Sequence, residues 1–386
     1  MEMIPFNKPY YTGKETSYIE EAVHSGKISG DGIFTKKCHD FFELEMGFNK
    51  ALLTTSCTDA LEMAAILIEV KSGDEIIMPS YTFVSTSNAF VLRGAKIVFI
   101  DSSDNHPGMN AQLIEDAITP RTKAIVPVHY AGIACDMEKI MDLAAKYDLY
   151  VIEDAAQAID SFFVNKLGQK IRLGTIGHLA AMSFHETKNI ISGEGGLLIV
   201  NDSKLQSRAE IIREKGTNRS AFFRGEVDKY GWVDIGSSFL PSDIIAAFLY
   251  AQLESLNEIQ SSRMLIWNNY HTAFTNIENM DKLFSLPYIP SYATNNAHMF
   301  YLLCKSSEIR VSFIEYLKRN SVHCVFHYLS LHKSPFYQKN SSNEYTLPFS
   351  DLYTDCLVRL PIYPELTPLK QKWIIECVKR FVNEFC

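Results

Sequence analysis

The chain has 386 residues, of which 47% are hydrophobic and 21% charged, a composition that excludes a disordered, collagen-like or coiled-coil protein. Lysine and arginine number 37 and aspartate and glutamate 45, so the formal net charge is −8. A mildly acidic chain without basic runs is a poor candidate for binding nucleic acid or an anionic membrane, although a small anionic ligand could still bind at a local site.

The cysteines and the apolar segments indicate where the protein works. Eight cysteines occur without any CxxC pair, which favours reduced thiols in a cytoplasmic protein. The N-terminal sequence has no basic stretch followed by an apolar core, and no apolar run approaches the roughly 20 residues of a membrane span. We therefore expect no signal peptide and no membrane-spanning helix.

Short apolar runs alternate with helical patterns through the first two thirds of the chain. We predict strands at residues 50–54, 75–78, 96–100, 124–128, 150–153, 180–184 and 197–200, and helices at 58–68, 110–117, 137–146 and 204–215. Strands that are apolar throughout are typical of sheets covered on both faces. The pattern predicts an α/β fold with a mostly parallel, seven-stranded sheet.

The pattern changes near residue 251. We predict a long helix at 242–274, a strand at 299–304, a helix at 311–319, a strand at 322–327 and a last helix at 368–385. These elements indicate a smaller α+β domain. We therefore expect a large domain at residues 1–250 and a small C-terminal domain at residues 251–386.

Ligands of such sheets bind outside the carboxyl ends of the strands, so the loops that follow strands deserve inspection. The first of these loops carries Ser56, Cys57 and Thr58 at the start of a helix. Small hydroxyl residues at a helix N-terminus can hold a phosphate, although they also serve as simple helix caps. The second loop carries Phe83, an aromatic residue that could stack on a flat ring.

The third loop, VIEDAAQ, ends an apolar strand with Glu153 and Asp154 and continues to Gln157. An aspartate at this place suits a buried ion pair with a cationic group of a ligand. Two other interpretations stay open, a magnesium ligand and an exposed acid at the end of a strand. No second carboxylate cluster or phosphate loop supports magnesium.

The fourth loop, SFHETKNIISGEGG, places Lys188 between a strand and a glycine-rich corner. A lysine held at the carboxyl edge of a sheet can form a Schiff base, because burial keeps its amine unprotonated. The alternative is an ordinary surface lysine. The His185–Glu186 pair does not begin a zinc HExxH motif because position 189 is asparagine, so we predict no metal site.

Taken together, these loops contain a phosphate cradle, a stacking aromatic residue, an acid for a cationic ligand and a lysine for a Schiff base. They occur in the order expected of a pyridoxal phosphate (PLP) enzyme. The segments VIEDAAQ, SFHETKN and GEGG resemble the DegT/DnrJ/EryC1/StrS sugar aminotransferase family, and the similarity extends from IPFNKP to RLPIYPELT.

The resemblance implies the fold-type I architecture of aspartate aminotransferase, PLP as cofactor and a homodimer with shared active sites. It implies that Lys188 binds the cofactor covalently and later moves the proton. Asp154 would pair with the pyridine nitrogen, Gln157 would reach the phenolic oxygen and Phe83 would stack on the ring. The phosphate would be held by Cys57, Thr58 and Ser183.

Longer segments, including SGKISGDGIFTKKC and NAHMFY, are most similar to family members that make dTDP-4-amino-4,6-dideoxygalactose. This implies amino transfer from L-glutamate to C4 of dTDP-4-dehydro-6-deoxy-D-glucose, for enterobacterial common antigen or O-antigen synthesis. Another keto sugar and a non-catalytic family member remain alternatives.

The segment 211–230 is rich in basic residues and could bind the sugar nucleotide, although a solvated helix end would look the same. We predict substrate contacts from Arg219, Lys229, Tyr230 and His327.

Overall fold

The computed structural model describes residues 2–341 and 343–385. Its strands are β1 Ala51–Thr54, β2 Glu75–Pro79, β3 Lys96–Ile100, β4 Thr122–Ile125, β5 Tyr150–Asp154, β6 Phe162–Val164, β7 Lys170–Arg172, β8 Leu179–Ser183, β9 Gly196–Val200, β10 Phe284–Ser285, β11 Phe300–Cys304 and β12 Leu357–Leu360. Its α-helices are α1 Glu15–His24, α2 Ile33–Asp40, α3 Cys57–Leu67, α4 Val84–Val91, α5 Met137–Tyr147, α6 Ser203–Arg213, α7 Arg219–Phe223, α8 Asp243–Glu254, α9 Leu256–Thr275, α10 Met280–Leu283, α11 Ser307–Arg319, α12 Pro335–Asn340, α13 Pro348–Cys356 and α14 Pro368–Phe385.

The large sheet has seven strands in the order β1-β9-β8-β5-β4-β2-β3. Pairing is parallel from β8 through β5, β4 and β2 to β3, whereas β9 runs antiparallel to both of its neighbours. All seven strands predicted from the sequence are present, with ends that differ by a few residues. The prediction of a mostly parallel α/β sheet is therefore confirmed.

Apolar clusters cover both faces of this sheet. In β9, Leu197 and Ile199 belong to one buried cluster and Leu198 and Val200 to another, because successive side chains point to opposite faces. The same alternation divides the residues of β1, β5 and β8 between the two clusters. A strand in this position must be apolar at every residue, which explains the continuous apolar runs.

One edge of the large sheet gathers the loops that the sequence singles out. The carboxyl ends of the parallel strands β1, β2, β5 and β8 meet at this edge. Because β9 is antiparallel, it starts at the same edge, and its first residue is Gly196. The turn between β8 and β9, which carries Lys188, therefore leaves and re-enters the sheet at one place.

A second sheet, in the order β10-β11-β12, is antiparallel and lies in the C-terminal part of the chain. Helices α9, α11 and α14 pack on it through a third apolar cluster that includes Trp267, Phe300, Phe313 and Phe381. The first cluster still includes Leu253, Leu256 and Ile259, beyond the predicted boundary. The division into domains at residue 250 remains a prediction.

Three predicted elements differ from the structure. Residues 110–117 form two short 3₁₀ turns, since the buried residues Ala111 and Ile114 are three positions apart and also match the 3₁₀ period. The predicted helix 242–274 is divided at Ser255 into α8 and α9. The predicted strand 322–327 is wrong because Val322 pairs with the N-terminal segment and Val325 with β12, so no continuous ladder forms.

Candidate active site

A cavity of about 580 Å³ opens at the edge of the large sheet where β1, β5 and β8 end. The residues predicted to hold the cofactor all line it: Cys57, Thr58, Phe83, Asp154, Gln157, Ser183 and Lys188. We call these seven residues the sheet wall. They lie at the ends of strands or in the segments that follow them, and the sheet topology brings these four parts of the chain together. Their individual ligand roles remain predictions.

Two helix N-termini form one end of the cavity. Ser56 caps α3, its Oγ accepting a hydrogen bond from the backbone N–H of Asp59, and Thr58 Oγ1 donates to Ser85 Oγ at the start of α4 over 2.8 Å. The first N–H groups of a helix have no intrahelical partner and lie at its positive end. The N–H groups of Cys57 and Thr58 therefore suit a phosphate dianion.

A glycine permits the close approach of β9 to this cradle. A Cβ atom at Gly196 would lie 2.3 Å from the carbonyl carbon of Ser56 and 2.4 Å from the backbone nitrogen of Cys57. These are backbone atoms, so the start of α3 would have to move to accommodate any other residue. Gly196, the second glycine of the GG pair, is therefore needed for the phosphate cradle to lie so close to β9.

Asp154 is a buried carboxylate that pairs with no cation among residues 2–341 and 343–385. Its Oδ2 accepts a hydrogen bond from Thr86 Oγ1 over 2.7 Å, and its Oδ1 accepts one from the backbone N–H of Ala156 over 3.2 Å. Burial raises the pKa of Asp154 against the effect of these two donors. A ligand with a protonated, positively charged ring nitrogen would supply the cation that this carboxylate lacks.

Lys188 lies in the turn between β8 and β9, which is closed by backbone hydrogen bonds such as that from Glu186 N–H to Gly193 O, at 3.0 Å. Within the described part of the chain its amine makes no hydrogen bond or ion pair. Burial lowers the pKa of Lys188, which favours the unprotonated amine that attacks a carbonyl. An unpaired amine, an unpaired carboxylate and a phosphate cradle in one cavity fit PLP.

The neighbouring acid, Glu153, faces away from the cavity and has a structural role. Its carboxylate accepts hydrogen bonds from His129 Nε2 at 2.9 Å and from the backbone N–H groups of Gly174, Ile176 and Gly177 at 2.7–2.8 Å. Although burial opposes ionisation, these four donors lower the pKa of Glu153. The two acids of VIEDAAQ therefore differ: Glu153 anchors β5 to its surroundings, and Asp154 lines the cavity.

Gln157 and Phe83 lie where the sequence places them but with further contacts. Gln157 accepts a hydrogen bond from the backbone N–H of Ala131 over 2.6 Å and donates one to Tyr328 Oη over 2.9 Å. One N–H of its amide group is left for a ligand. Phe83 is 54% exposed, and its ring centroid lies 5.9 Å from that of Tyr328.

Four residues from later in the chain also line the cavity, and we call them the far wall: Arg263, His298, His327 and Arg359. Of these, only His327 was predicted; its Nδ1 lies 2.7 Å from Tyr130 Oη. Neither arginine pairs with a carboxylate within the described ranges, and both donate hydrogen bonds to backbone carbonyl groups. His298 lies in the segment NAHMFY and Arg359 in RLPIYP, but nothing in either segment indicated that these residues line the cavity.

The predicted substrate residues Arg219, Lys229 and Tyr230 do not line the cavity of this chain. They lie on α7 and on the segment that follows it, where the guanidinium carbon of Arg219 is 5.1 Å from the ring centroid of Phe223. Their role in substrate binding remains a prediction.

A search for other kinds of site gives two further findings. No group of three or more histidine, cysteine and acidic side chains with the geometry of a metal site occurs within residues 2–341 and 343–385. Within the same ranges, none of the helices has the length and apolar character needed to cross a membrane. Cys386 lies outside the described residues, and the other seven cysteines are free.

Comparison with known proteins gives a consistent result. Residues 9–379 match the model of the DegT/DnrJ/EryC1/StrS aminotransferase family. The chain is 30% identical to the spore coat polysaccharide biosynthesis protein SpsC of Bacillus subtilis, with 98% of this chain and 97% of SpsC covered. It is 29% identical to GDP-perosamine synthase of Escherichia coli O157:H7 over the whole of both chains. The crystal structure of DesV from S. venezuelae, in complex with a ketimine intermediate, superposes with a TM-score of 0.88 at 26% identity and covers 99% of each chain.

Proposed function

Because the chain belongs to the DegT/DnrJ/EryC1/StrS aminotransferase family, we propose that it transfers the amino group of L-glutamate to C4 of dTDP-4-dehydro-6-deoxy-D-glucose. The products would be dTDP-4-amino-4,6-dideoxy-D-galactose and 2-oxoglutarate. PLP-dependent sugar amino transfer is the chemistry of the family, and the donor and the sugar are the proposed part. The observation that carries the proposal is the unpaired amine of Lys188 in one cavity with the unpaired carboxylate of Asp154.

We propose the following roles for the sheet wall. When bound, PLP withdraws electrons from the carbon that carries the amino group. Asp154 holds the proton on the pyridine nitrogen, since a buried carboxylate favours a positive neighbour. Lys188 takes a proton from the α-carbon of the donor and in the second half-reaction delivers one to C4 of the sugar. Delivery from one side sets a single configuration at C4, which in this proposal is galacto.

The charge of the far wall supports glutamate as donor. Arg263 and Arg359 line the cavity without acidic partners in the described structure, and glutamate brings two carboxylates. Guanidinium groups bind carboxylates through paired hydrogen bonds. The cavity therefore offers positive charge for the carboxylates of the donor.

We propose that the active protein is a homodimer and that segment 219–235 of one subunit contributes to the site of the other. The segment exposes large apolar side chains, among them Trp232 at 85% and Phe223 at 69% exposure. Exposed apolar patches of this kind favour contact with a partner. Arg219 and Lys229 would then supply the positive charge that a nucleotide diphosphate needs, although they lie outside their own chain's cavity.

We further propose that the product enters a surface polysaccharide, such as enterobacterial common antigen or an O-antigen, and that the enzyme works in the cytoplasm. The relatives SpsC and GDP-perosamine synthase, named for polysaccharide and sugar-nucleotide biosynthesis, support the first point. The seven free cysteines support the second. A GDP-linked keto sugar is the second candidate substrate, because one relative is named for a GDP-linked product.

The test is to record the visible absorption spectrum of the purified protein and then to add L-glutamate. Bleaching of the yellow cofactor band is expected, and subsequent addition of the dTDP-linked keto sugar should restore it with formation of the amino sugar. Response to a GDP-linked sugar alone would favour the second candidate. A protein that stays colourless with added PLP would refute the proposal and favour a non-catalytic member of the family.

A further inference from the structure

A buried polar network lies behind Lys188 and includes His298 of the far wall. It joins Asn189, Gln260 and His298, which are each less than 10% exposed, with the backbone carbonyl of Asn296. The residues come from three distant parts of the chain. None of them was assigned a role by the sequence.

The backbone carbonyl of Asn296 determines the orientation of both amides. It accepts hydrogen bonds from Asn189 Nδ2 at 2.9 Å and from Gln260 Nε2 at 3.3 Å, and a carbonyl oxygen can only accept. Asn189 Nδ2 also donates to Gln260 Oε1 at 2.8 Å. The Nδ2 of Asn189 must therefore face this side of the network, and its Oδ1 must face the other.

That orientation fixes the tautomer of His298. The Oδ1 of Asn189 lies 2.8 Å from His298 Nδ1 and can only accept, so Nδ1 carries the proton. A neutral imidazole has one N–H, which leaves Nε2 with a lone pair. Burial, together with the positive charges of Arg263 and Arg359, keeps the pKa of His298 well below its usual range. The neutral form of the ring is therefore favoured.

The free nitrogen belongs to a side chain that lines the cavity. Within residues 2–341 and 343–385, His298 Nε2 has no hydrogen-bond partner. The cavity thus has a hydrogen-bond acceptor in a fixed position. Cationic side chains lie near it, and one of them, Arg263, donates to the backbone oxygen of His298 over 2.7 Å. An acceptor in this place requires a ligand that brings a donor.

The two substrates of the proposed reaction differ in this respect. Both carboxylates of glutamate can only accept, and its single donor is the amino group that is being transferred. A keto sugar carries hydroxyl groups that donate. We propose that Nε2 of His298 accepts a hydrogen bond from a hydroxyl group of the sugar, and that Asn189 holds the imidazole in the tautomer that this contact requires. The inference rests on the proposed sugar amino transfer and names a residue that distinguishes the sugar from the amino donor.

A pair of substitutions separates this contact from a structural role. His298→Asn places an amide N–H near the position of Nδ1, where it can donate to Asn189, but removes the acceptor. His298→Gln can place its Oε1 near the position of Nε2 and restores an acceptor there. We expect His298→Asn to lower kcat/KM for the keto sugar by about 10- to 100-fold, the effect of one unmade hydrogen bond, and His298→Gln to recover part of the loss.

Both half-reactions are followed by absorbance, the first with L-glutamate and the second with dTDP-4-dehydro-6-deoxy-D-glucose. The glutamate half-reaction should change much less than the sugar half-reaction in both variants. Equal loss in the two half-reactions, or a His298→Gln variant no better than His298→Asn, would overturn the inference. A wild-type protein without any response to glutamate would refute the proposed function and this inference with it.

The tautomer is tested without turnover. In cofactor-free protein with ¹⁵N-labelled histidine, the signals that disappear in His298→Asn are those of His298. We expect a protonated Nδ1 and an unprotonated Nε2 at neutral pH. A signal from a protonated Nε2 would overturn the inference, even if the variants lose activity.

Discussion

The two walls of the cavity differ in how their residues are held. Sheet-wall residues such as Cys57, Asp154 and Ser183 follow directly from strands of one sheet, and most lie within three positions of a strand end. Far-wall residues such as Arg263, His298 and Arg359 come from a helix, a loop and a strand in the second part of the chain. The sheet wall, which we propose to hold the cofactor, has local sequence signals, whereas the far wall, which we propose to contact the substrates, depends on tertiary placement.

The largest expected effect concerns the sheet wall. Lys188→Ala should lower kcat by more than about 10³-fold, because it removes both the covalent attachment of the cofactor and the group that moves the proton. Steady-state turnover and circular dichroism are the measurements, and we expect an unchanged fold. The matched control is Lys166→Ala, since the Lys166 side chain is 81% exposed and pairs with Glu138 away from the cavity. Full turnover by Lys188→Ala would contradict the assignment.

The next effect concerns Asp154, the carboxylate that we propose to pair with the pyridine nitrogen. Asp154→Asn should lower kcat by about 10²- to 10³-fold, as is typical when one preorganised electrostatic contact is lost. Thr86 Oγ1 can still donate to the new amide oxygen, so we expect the fold to persist. Stopped-flow absorbance with glutamate is the measurement. An unchanged rate would exclude a contact with the ring nitrogen.

Stability of the cofactor-free protein separates this role from folding. Because burial raises the pKa of Asp154 in the folded state, the folded protein holds this proton at pH values where the unfolded chain has lost it. Its contribution to the free energy of unfolding therefore falls as pH rises from the unfolded pKa through the folded one. Urea unfolding between pH 4 and 8 should show this fall in the wild type relative to Asp154→Asn.

On the far wall we expect a smaller and more selective effect. Arg359→Gln should lower kcat/KM for glutamate by about 10- to 100-fold, because a charged donor to a carboxylate is lost. Half-reaction kinetics over a range of glutamate concentrations measure it. Arg359→Lys keeps the charge and should retain more activity than Arg359→Gln. If the glutamate half-reaction is unaffected, Arg359 does not bind the amino donor.

The smallest effect is expected outside both walls. Arg219→Glu should raise KM for the nucleotide sugar about 3- to 10-fold and leave the glutamate half-reaction unchanged, since an exposed charge acts through a screened field. Arg319→Glu is the matched control, an exposed arginine on α11 that pairs with Glu315. Equal losses in the two half-reactions would indicate damage to folding instead of a lost substrate contact.

The large sheet could be predicted because strands that are buried on both faces have a simple sequence pattern. Each of the seven strands is a short run of mostly apolar residues, and α3 and α5 begin at caps, Ser56 and Asp136, that mark helix starts. Helix α4 was missed because VSTSNAFV consists mainly of weak helix formers, so that its packing against α3 and β3 decides its structure.

The sheet wall could be predicted because its residues lie at or shortly after the ends of strands that the sequence reveals. In a parallel sheet, these strand ends meet at one edge. His298 and Arg359 could not be found in this way. The Asn189 oxygen that accepts the hydrogen bond from His298 is 109 positions away along the chain, and no local pattern records such a contact. The predicted strand 322–327 failed similarly, because its two pairing partners lie in different parts of the molecule.

The antiparallel direction of β9 has a mechanical consequence. The turn that carries Lys188 is clamped between β8 and β9, and both are interior strands of the large sheet. Lys188 and Asp154 thus share one rigid frame with the phosphate cradle, whereas Arg359 belongs to β12 in the other sheet. A displacement of one sheet relative to the other would change the distance from Lys188 to Arg359 while Lys188, Asp154 and the phosphate cradle keep their spacing. In the proposed reaction, such a displacement would change the space between Lys188 and Arg359 without changing the frame that holds Lys188.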